Sequence, residues 1–243
     1  MPKLSPRDIR RKIQGIKNTR RITNAMKVVS AAKLRKAQEL IFASRPYSER
    51  LYEMLGRLSS HISSDEHPLF EVREEKRVDL ILVTADRGLA GAFNSNAIKR
   101  AEDFLKEKQS AGVQTSLILI GRKGVQYFTK RDYKVLLAYD EVFRKDINFE
   151  VVKEVGALVR KRYVERETDA VYLLNNEMVT KVSYKPVLRR FLPFEGIQAK
   201  EGDFSTYEFE VEPEVLLNKL IDLYLDYQLY RALLESNAAE HFA

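Results

Sequence analysis

Between Pro6 and Pro46 the chain contains a single glycine, Gly15, and no proline. This absence of helix breakers is the strongest constraint in the sequence. About forty residues can run as one helix there, against a mean of about 11–12 in globular domains. Ser5 followed by Pro6 supplies the start. The serine oxygen can cap free backbone N–H groups, and proline at the first helical position loses no donor that a helix needs. Pro46 marks the expected other end of that helix, after which the segment from Tyr47 continues helically to about Ser60.

A helix of that length needs a partner to be stable in water. Its apolar positions run Ile9, Ile13, Ile16, then Ile22, Met26, Val29 and on to Leu40, spaced by three and four except for a step of six across Thr19. That stripe is narrow enough for a coiled-coil seam and carries a phase slip in its middle. The remaining surface is charged. The first fifty residues hold fourteen Lys or Arg against Asp8, Glu39 and Glu49, a net charge of +11, whereas the whole chain carries +7. Such a helix requires an acidic partner: nucleic acid, an anionic membrane surface or an acidic protein surface. The apolar face argues against a membrane, because it has no Trp and, before Phe42, no aromatic residue to anchor in an interface.

The last segment returns to the same theme. After Pro213, Leu216, Leu220, Leu223, Tyr227, Tyr230 and Leu234 fall at spacings of 4, 3, 4, 3 and 4, a rhythm that reaches Asn237 and His241. This is a heptad seam, whose 3.5-residue period demands left-handed supercoiling. Residues 1–58 and 211–243 are therefore expected to form one long antiparallel coiled coil, joined through a central domain that returns the chain to its start.

That domain is expected at 76–210, after a linker at 59–75 rich in Ser, His, Asp and Pro. Residues 78–84, VDLILVT, form a near-continuous β-branched apolar run suited to a strand covered on both faces. A turn, ADRGLAGAFN, and a helix from about Asn94 to Lys108 follow. SLILIG at 116–121 repeats the strand, RKGVQYFTKR a short helix, Asn148 to Arg166 a longer one, and AVYLLNNEMV at 170–179 a third strand. Alternation of strands and helices predicts an α/β class, an open, mostly parallel and Rossmann-like sheet.

No catalytic constellation accompanies it. Gly88 and Gly91 give only G-x-x-G, without the dinucleotide fingerprint and without a Gly-Lys-Ser/Thr to hold a triphosphate. His61 and His67 lie in polar loop sequence with no third ligand at usable spacing, and Glu74 with Glu75 read as solvated surface. Three His and no Cys leave little for acid–base, metal or thiol chemistry. The chain is read as non-catalytic and without a cofactor. No run approaches the 18 or so apolar residues of a membrane span, and no secretory h-region follows Met1.

Residues 9–38, IRRKIQGIKNTRRITNAMKVVSAAKLRKAQ, resemble the N-terminal signature of the gamma subunit of rotary F-type ATP synthases, through NT-x-x-IT-x-AM and AAKLRKAQ. The resemblance continues through TADRGLAGAFNSN at 84–96 and ESNAAEHFA at 235–243. It implies a central-stalk rotor of the bacterial type that couples proton flow to ATP synthesis. The two terminal helices would form an asymmetric axle within a ring of alternating alpha and beta subunits, with ATPase activity in beta. The domain would stand on the c-ring with epsilon alongside, so that membrane contact comes only through the c-ring, at the cytoplasmic face of the inner membrane. Carried over by motif, the residues facing the alpha/beta ring are Arg10, Lys17, Asn18, Thr19, Arg20, Ile22, Thr23, Met26, Lys27, Val28 and Lys33, and those facing the c-ring and epsilon are Tyr207, Phe209 and Glu210. Family members continue past ESNAAEHFA through further heptads, so the contacts of those heptads lie outside this sequence. The alternative from a different class is a coiled-coil module whose basic helix tracks nucleic-acid phosphates. Against it, no aromatics interleave the basic residues of 3–36 to stack on bases.

Overall fold

The computed structural model describes residues 5–58, 67–143, 147–180, 183–194 and 212–243. One helix, α1, spans Pro6–Leu58 and runs straight through Pro46. The missing N–H of Pro46 leaves the helical ladder one bond short, a defect tolerated at an exposed position flanked by packed turns. At the other end of the chain α5 spans Pro213–Phe242.

Between them lies a five-stranded sheet of order β3-β2-β1-β4-β5. The strands are β1 (Arg77–Val83), β2 (Gln114–Ile120), β3 (Lys134–Tyr139), β4 (Ala170–Thr180) and β5 (Ser183–Leu192). The connecting helices are α2 (Phe93–Ser110), α3 (Arg122–Phe128) and α4 (Phe149–Val164). β1 pairs in parallel with β2 and with β4, setting Leu80 beside Leu117 and Tyr172, while β5 returns antiparallel along β4. The sequence reading passed over two of these strands. β3 is a short edge strand whose KVLLAY has no flanking repeat, and β5 carries Pro186 at mid-strand, which only an edge tolerates.

Strand alternation sorts the core into two layers. Val78, Leu80 and Leu82 face Ala97, Ala101, Phe104 and Leu105 of α2 on one side of the sheet. Ile81, Val83, Val171 and Leu173 face the other side, where α4 and α5 pack together. The reversal of strand order falls between β1 and β4, with α2 and α3 on one face and α4 on the other. In open α/β sheets the crevice at such a reversal is where ligands bind. Here α5 fills it: Ala239 packs with Ala85, Ala90 and Phe93, and the Asn175 amide, mid-way along β4 and just past its pairing with β1, reaches the Ala232 carbonyl at 3.4 Å.

The helices pair antiparallel. Tyr227 of α5 meets Ser44 and Tyr47, and Tyr224, earlier in α5, meets Tyr52, later in α1. The inward positions of α1 are Ser30, Leu34, Ala37, Ile41, Ser44, Ser48, Leu51 and Leu55, a regular heptad pattern. This seam lies one residue along from the expected one, so that Val29 and Leu40 are exposed. Ala37, Ser44 and Ser48 are small, and that frame admits the tyrosines of α5. The α5 seam also departs from expectation. Leu223 is exposed, whereas Leu217, Ile221, Leu225, Leu229 and Leu233 are buried, because α5 packs against α1, α4 and the sheet together.

Candidate docking surface on the free length of the long helix

The first turn of α1 is held by a reciprocal cap: Asp8 N–H donates to Ser5 Oγ at 3.3 Å, and Ser5 Oγ–H donates to Asp8 Oδ2 at 2.8 Å. From there to Val29 every side chain is exposed. The apolar stripe is open along its length, with Ile16 at 68% and Ile22 at 60% exposure. The expectation that all of 1–58 pairs with the C-terminal helix is corrected here: the described α5 covers α1 only from about Ser30 onward. The free length stays helical because the packed length nucleates it and elongation from a formed nucleus is cheap.

The motif residues expected to face a ring are distributed around this shaft. With 3.6 residues per turn, Asn18, Thr19, Ile22, Met26 and Lys33 share one side, while Arg10, Lys17, Arg20, Lys27 and Val28 lie on the other. Thr23 falls between. Arg10 through Val28 of this set are exposed, and Lys33 is half-buried. Thr19 Oγ1 donates to the Gly15 carbonyl at 3.0 Å and Thr23 Oγ1 to Arg20 at 3.1 Å, so both hydroxyls are turned back onto the helix. The step of six across Thr19 carries the apolar stripe about a third of a turn around the shaft. Ile9, Ile13 and Ile16 thus point to a different side from Ile22, Met26 and Val29. Tyr207, Phe209 and Glu210 lie outside the described residues.

Where the free length meets the globular head, a cleft of 390 Å³ opens between Ile22, Met26 and Lys33 of α1, the turn 84–92 and the end of α5. The turn is rigidly built. Asp86 accepts backbone N–H groups of Arg122 at 3.1 Å and Phe143 at 2.7 Å, and Asn94 Oδ1 accepts the Ala85 N–H at 2.9 Å. Thr84 Oγ1 donates to the backbone carbonyl of Gly121 at 3.1 Å and accepts the Gly124 N–H at 2.9 Å. At its tip Leu89 adopts φ 65° and is 89% exposed. A bulky apolar residue held in the left-handed region and out in water is costly without a partner. Sequence reasoning weighed this turn as a phosphate cradle, assigned its glycines to tight turning and close helix packing, and missed Leu89, whose signal was a lone leucine between glycines.

The cleft also holds two shifted titrations. Burial, with Asp86 nearby, pushes the Glu240 carboxyl up to about 7, and burial with the cations Lys33 and Arg87 holds His241 down to about 4. His67 is structural: its Nδ1 accepts the Leu69 N–H at 3.2 Å, and its Nε2 lies 2.8 Å from Asn218 Oδ1. Among the described residues no helix is long and apolar enough to cross a membrane.

The chain matches the ATP synthase family model over residues 5–243. It is 65% identical over 243 residues to the ATP synthase gamma chain of Aquifex aeolicus, covering all of this chain and 84% of that protein. This chain belongs to the ATP synthase gamma chain family. The gamma chain of Hydrogenobaculum is 55% identical over 248 residues, with the same coverage. Among solved structures, a chain of the cryo-EM structure of the Tetrahymena thermophila mitochondrial ATP synthase central stalk and c-ring aligns with a TM-score of 0.66. At 22% identity, over 91% of this chain and 95% of that one, the match shows a shared fold.

Proposed function

We propose that this chain is the central-stalk rotor of an F-type ATP synthase, with the free length of α1 standing inside a ring of alternating alpha and beta subunits. The observation that supports this reading is the distribution of side chains on the free length of α1, where cations and apolar residues stand all round the helix from Ser5 to Val29. A groove-binding partner would need one prepared face, whereas an enclosing partner meets all of them. The shift of the apolar stripe across Thr19 makes the shaft asymmetric. An asymmetric shaft biases the sites around it because it touches each of them differently.

In this arrangement the chain does no chemistry of its own, and ATP hydrolysis belongs to the beta subunits. The α5 helix occupies the crevice where a nucleotide would enter this kind of sheet. The head faces the c-ring, with epsilon alongside, through a region that includes Tyr207, Phe209 and Glu210. Membrane contact then comes only through the c-ring, on the cytoplasmic face of a bacterial inner membrane. Arg10, Lys17, Arg20, Lys27 and Lys33 guide the shaft against acidic surfaces of the ring, while Ile22, Met26 and Leu89 supply apolar contact. Nothing in the fold or in the relatives supports the nucleic-acid reading of the same helix.

The test is co-purification of the tagged chain with untagged alpha, beta and epsilon subunits, followed by Mg-ATP calorimetry on the chain alone. A stoichiometric complex that hydrolyses ATP, with no heat of nucleotide binding to the free chain, is the expected result. Saturable binding of a nucleic acid, or a stoichiometric micromolar ATP site on the chain, would overturn it.

A further inference from the structure

Torque that enters a head and leaves through a shaft must cross whatever joins the two, and in this chain that junction is the middle of α5. Two neighbouring residues there face different elements. Asp226 is turned toward α4 of the head, where Arg160 Nη1 donates to its Oδ1 at 3.0 Å. The same guanidinium places its Nε 3.1 Å from Asp222 Oδ1, one turn earlier on α5. Tyr227 is turned toward α1, and its hydroxyl donates to the Ser44 carbonyl at 3.1 Å. The α4 side also holds a seat for the carboxylate: a Cβ at Gly156 would lie 2.1 Å from Asp226 Oδ1. Glycine leaves that space open, so the Asp226 carboxylate rests directly on the α4 backbone.

Beside this fork the α4–α5 contact is built of apolar side chains, and other polar contacts of α5 with the head lie away from α4, at Asn175, Arg189 and His67. Burial of Leu217, Ile221 and Leu225 against α4 supplies most of the adhesion, but the hydrophobic effect is non-directional and resists sliding or rolling of one helix on another only weakly. A planar guanidinium forked over two carboxylates has a defined direction. With the Asp226 carboxylate seated over Gly156, the fork sets both the axial register and the rotation of α5 relative to the head.

We propose that Arg160, Asp222, Asp226 and Gly156 form the coupling that locks the rotation of the head to the shaft, and that Tyr227 with Ser44 passes it on to α1. This rests on the rotor reading. The four are positioning residues: they act on the angle between head and shaft and touch no reacting group.

The chain contains no cysteine, so engineered cysteine pairs can be spin-labelled specifically. Leu89→Cys with Val215→Cys reports the head against α5, and Val28→Cys with Val215→Cys reports α1 against α5. All three positions are exposed. By pulsed electron resonance on the full chain, Arg160→Gln and Asp226→Asn should broaden the first distance distribution about twofold, since the directional support is lost, and leave the second unchanged. Tyr227→Phe should broaden only the second. Arg160→Lys, which keeps the charge but not the fork, should fall between the parent and Arg160→Gln. In the assembled complex with the ring immobilised, the angular variance of a bead on the head should rise about twofold in Arg160→Gln, while ATP hydrolysis is retained. An unchanged width in Arg160→Gln, or equal broadening of both pairs, would overturn the proposal, since the second is the signature of general loosening. If the widths behave as expected but no complex forms, the rotor reading fails instead.

Discussion

Gly121 has φ 101°, and a Cβ built on it would lie 1.9 Å from the Thr84 carbonyl oxygen. Backbone against backbone cannot give way, so Gly121→Ala should cost about 3 kcal/mol in denaturant unfolding. Glu240 and His241 make stability depend on pH in opposite senses. The folded carboxyl titrates at about 7 against an ordinary 4.5. Between those values the folded chain keeps a proton that the unfolded chain has released, so stability falls as pH rises through the window. His241, held at about 4 against 6.5, is uncharged in the folded chain, and its contribution is lost as pH falls from 6.5 toward 4. Glu240→Gln removes only the first effect. With an allowance for solvent at this partly exposed site, it should stabilise the chain by about 1–2 kcal/mol at pH 8 and leave it unchanged at pH 4, measured as denaturant midpoints.

At the scale of elements, α1 is two helices in one. Its second half is part of the core, with Leu55 only 1% exposed, and its first half is bare. Leu55→Ala should therefore cost about 2–4 kcal/mol, as deletion of a buried side chain does. Ile16→Ser should change the stability of the chain by no more than about 0.5 kcal/mol, because serine and isoleucine have similar helix propensity and no packing is lost. Side-by-side urea melts of the two variants check the division. α5 is the counterpart: buried on three sides, it ties α1, α4 and the middle of β4 together.

For the whole molecule, the basic shaft matters through its field and its contacts with a ring. Exposed charge pairs contribute about 0.2–1 kcal/mol each, so Arg10→Gln should leave assembly of the complex almost unaltered. Lys27 is exposed at the level of the cleft where the shaft leaves the head, on the side of the helix turned away from it. Lys27→Glu should let the complex assemble but lower the ratio of proton pumping to ATP hydrolysis, because it turns a guiding attraction into an obstacle at one angle of rotation. If Lys27→Glu leaves that ratio unchanged while Arg10→Gln abolishes assembly, the charged face is a static anchor.

The α/β class, the unbroken first helix, the strand of 77–83 with its tight turn, and the gamma-chain family were all legible in the amino-acid order. Each is written in local signals: a missing helix breaker, a β-branched run, a motif. Tertiary structure decided which face of each helix is covered. Periodicity shows which residues share a face but not which face finds a partner, so Leu34, Ala37 and Ile41 form the seam while Ile22, Met26 and Val29 stay open. Small side chains at Ala37, Ser44 and Ser48 admit Tyr227 and its neighbours, a choice that depends on residues about 180 positions away in sequence. The same holds for the candidate surface. The basic shaft was apparent from charge alone, whereas Leu89, Glu240 and the Arg160 fork acquire their roles only where distant segments converge on α5 and shut out water.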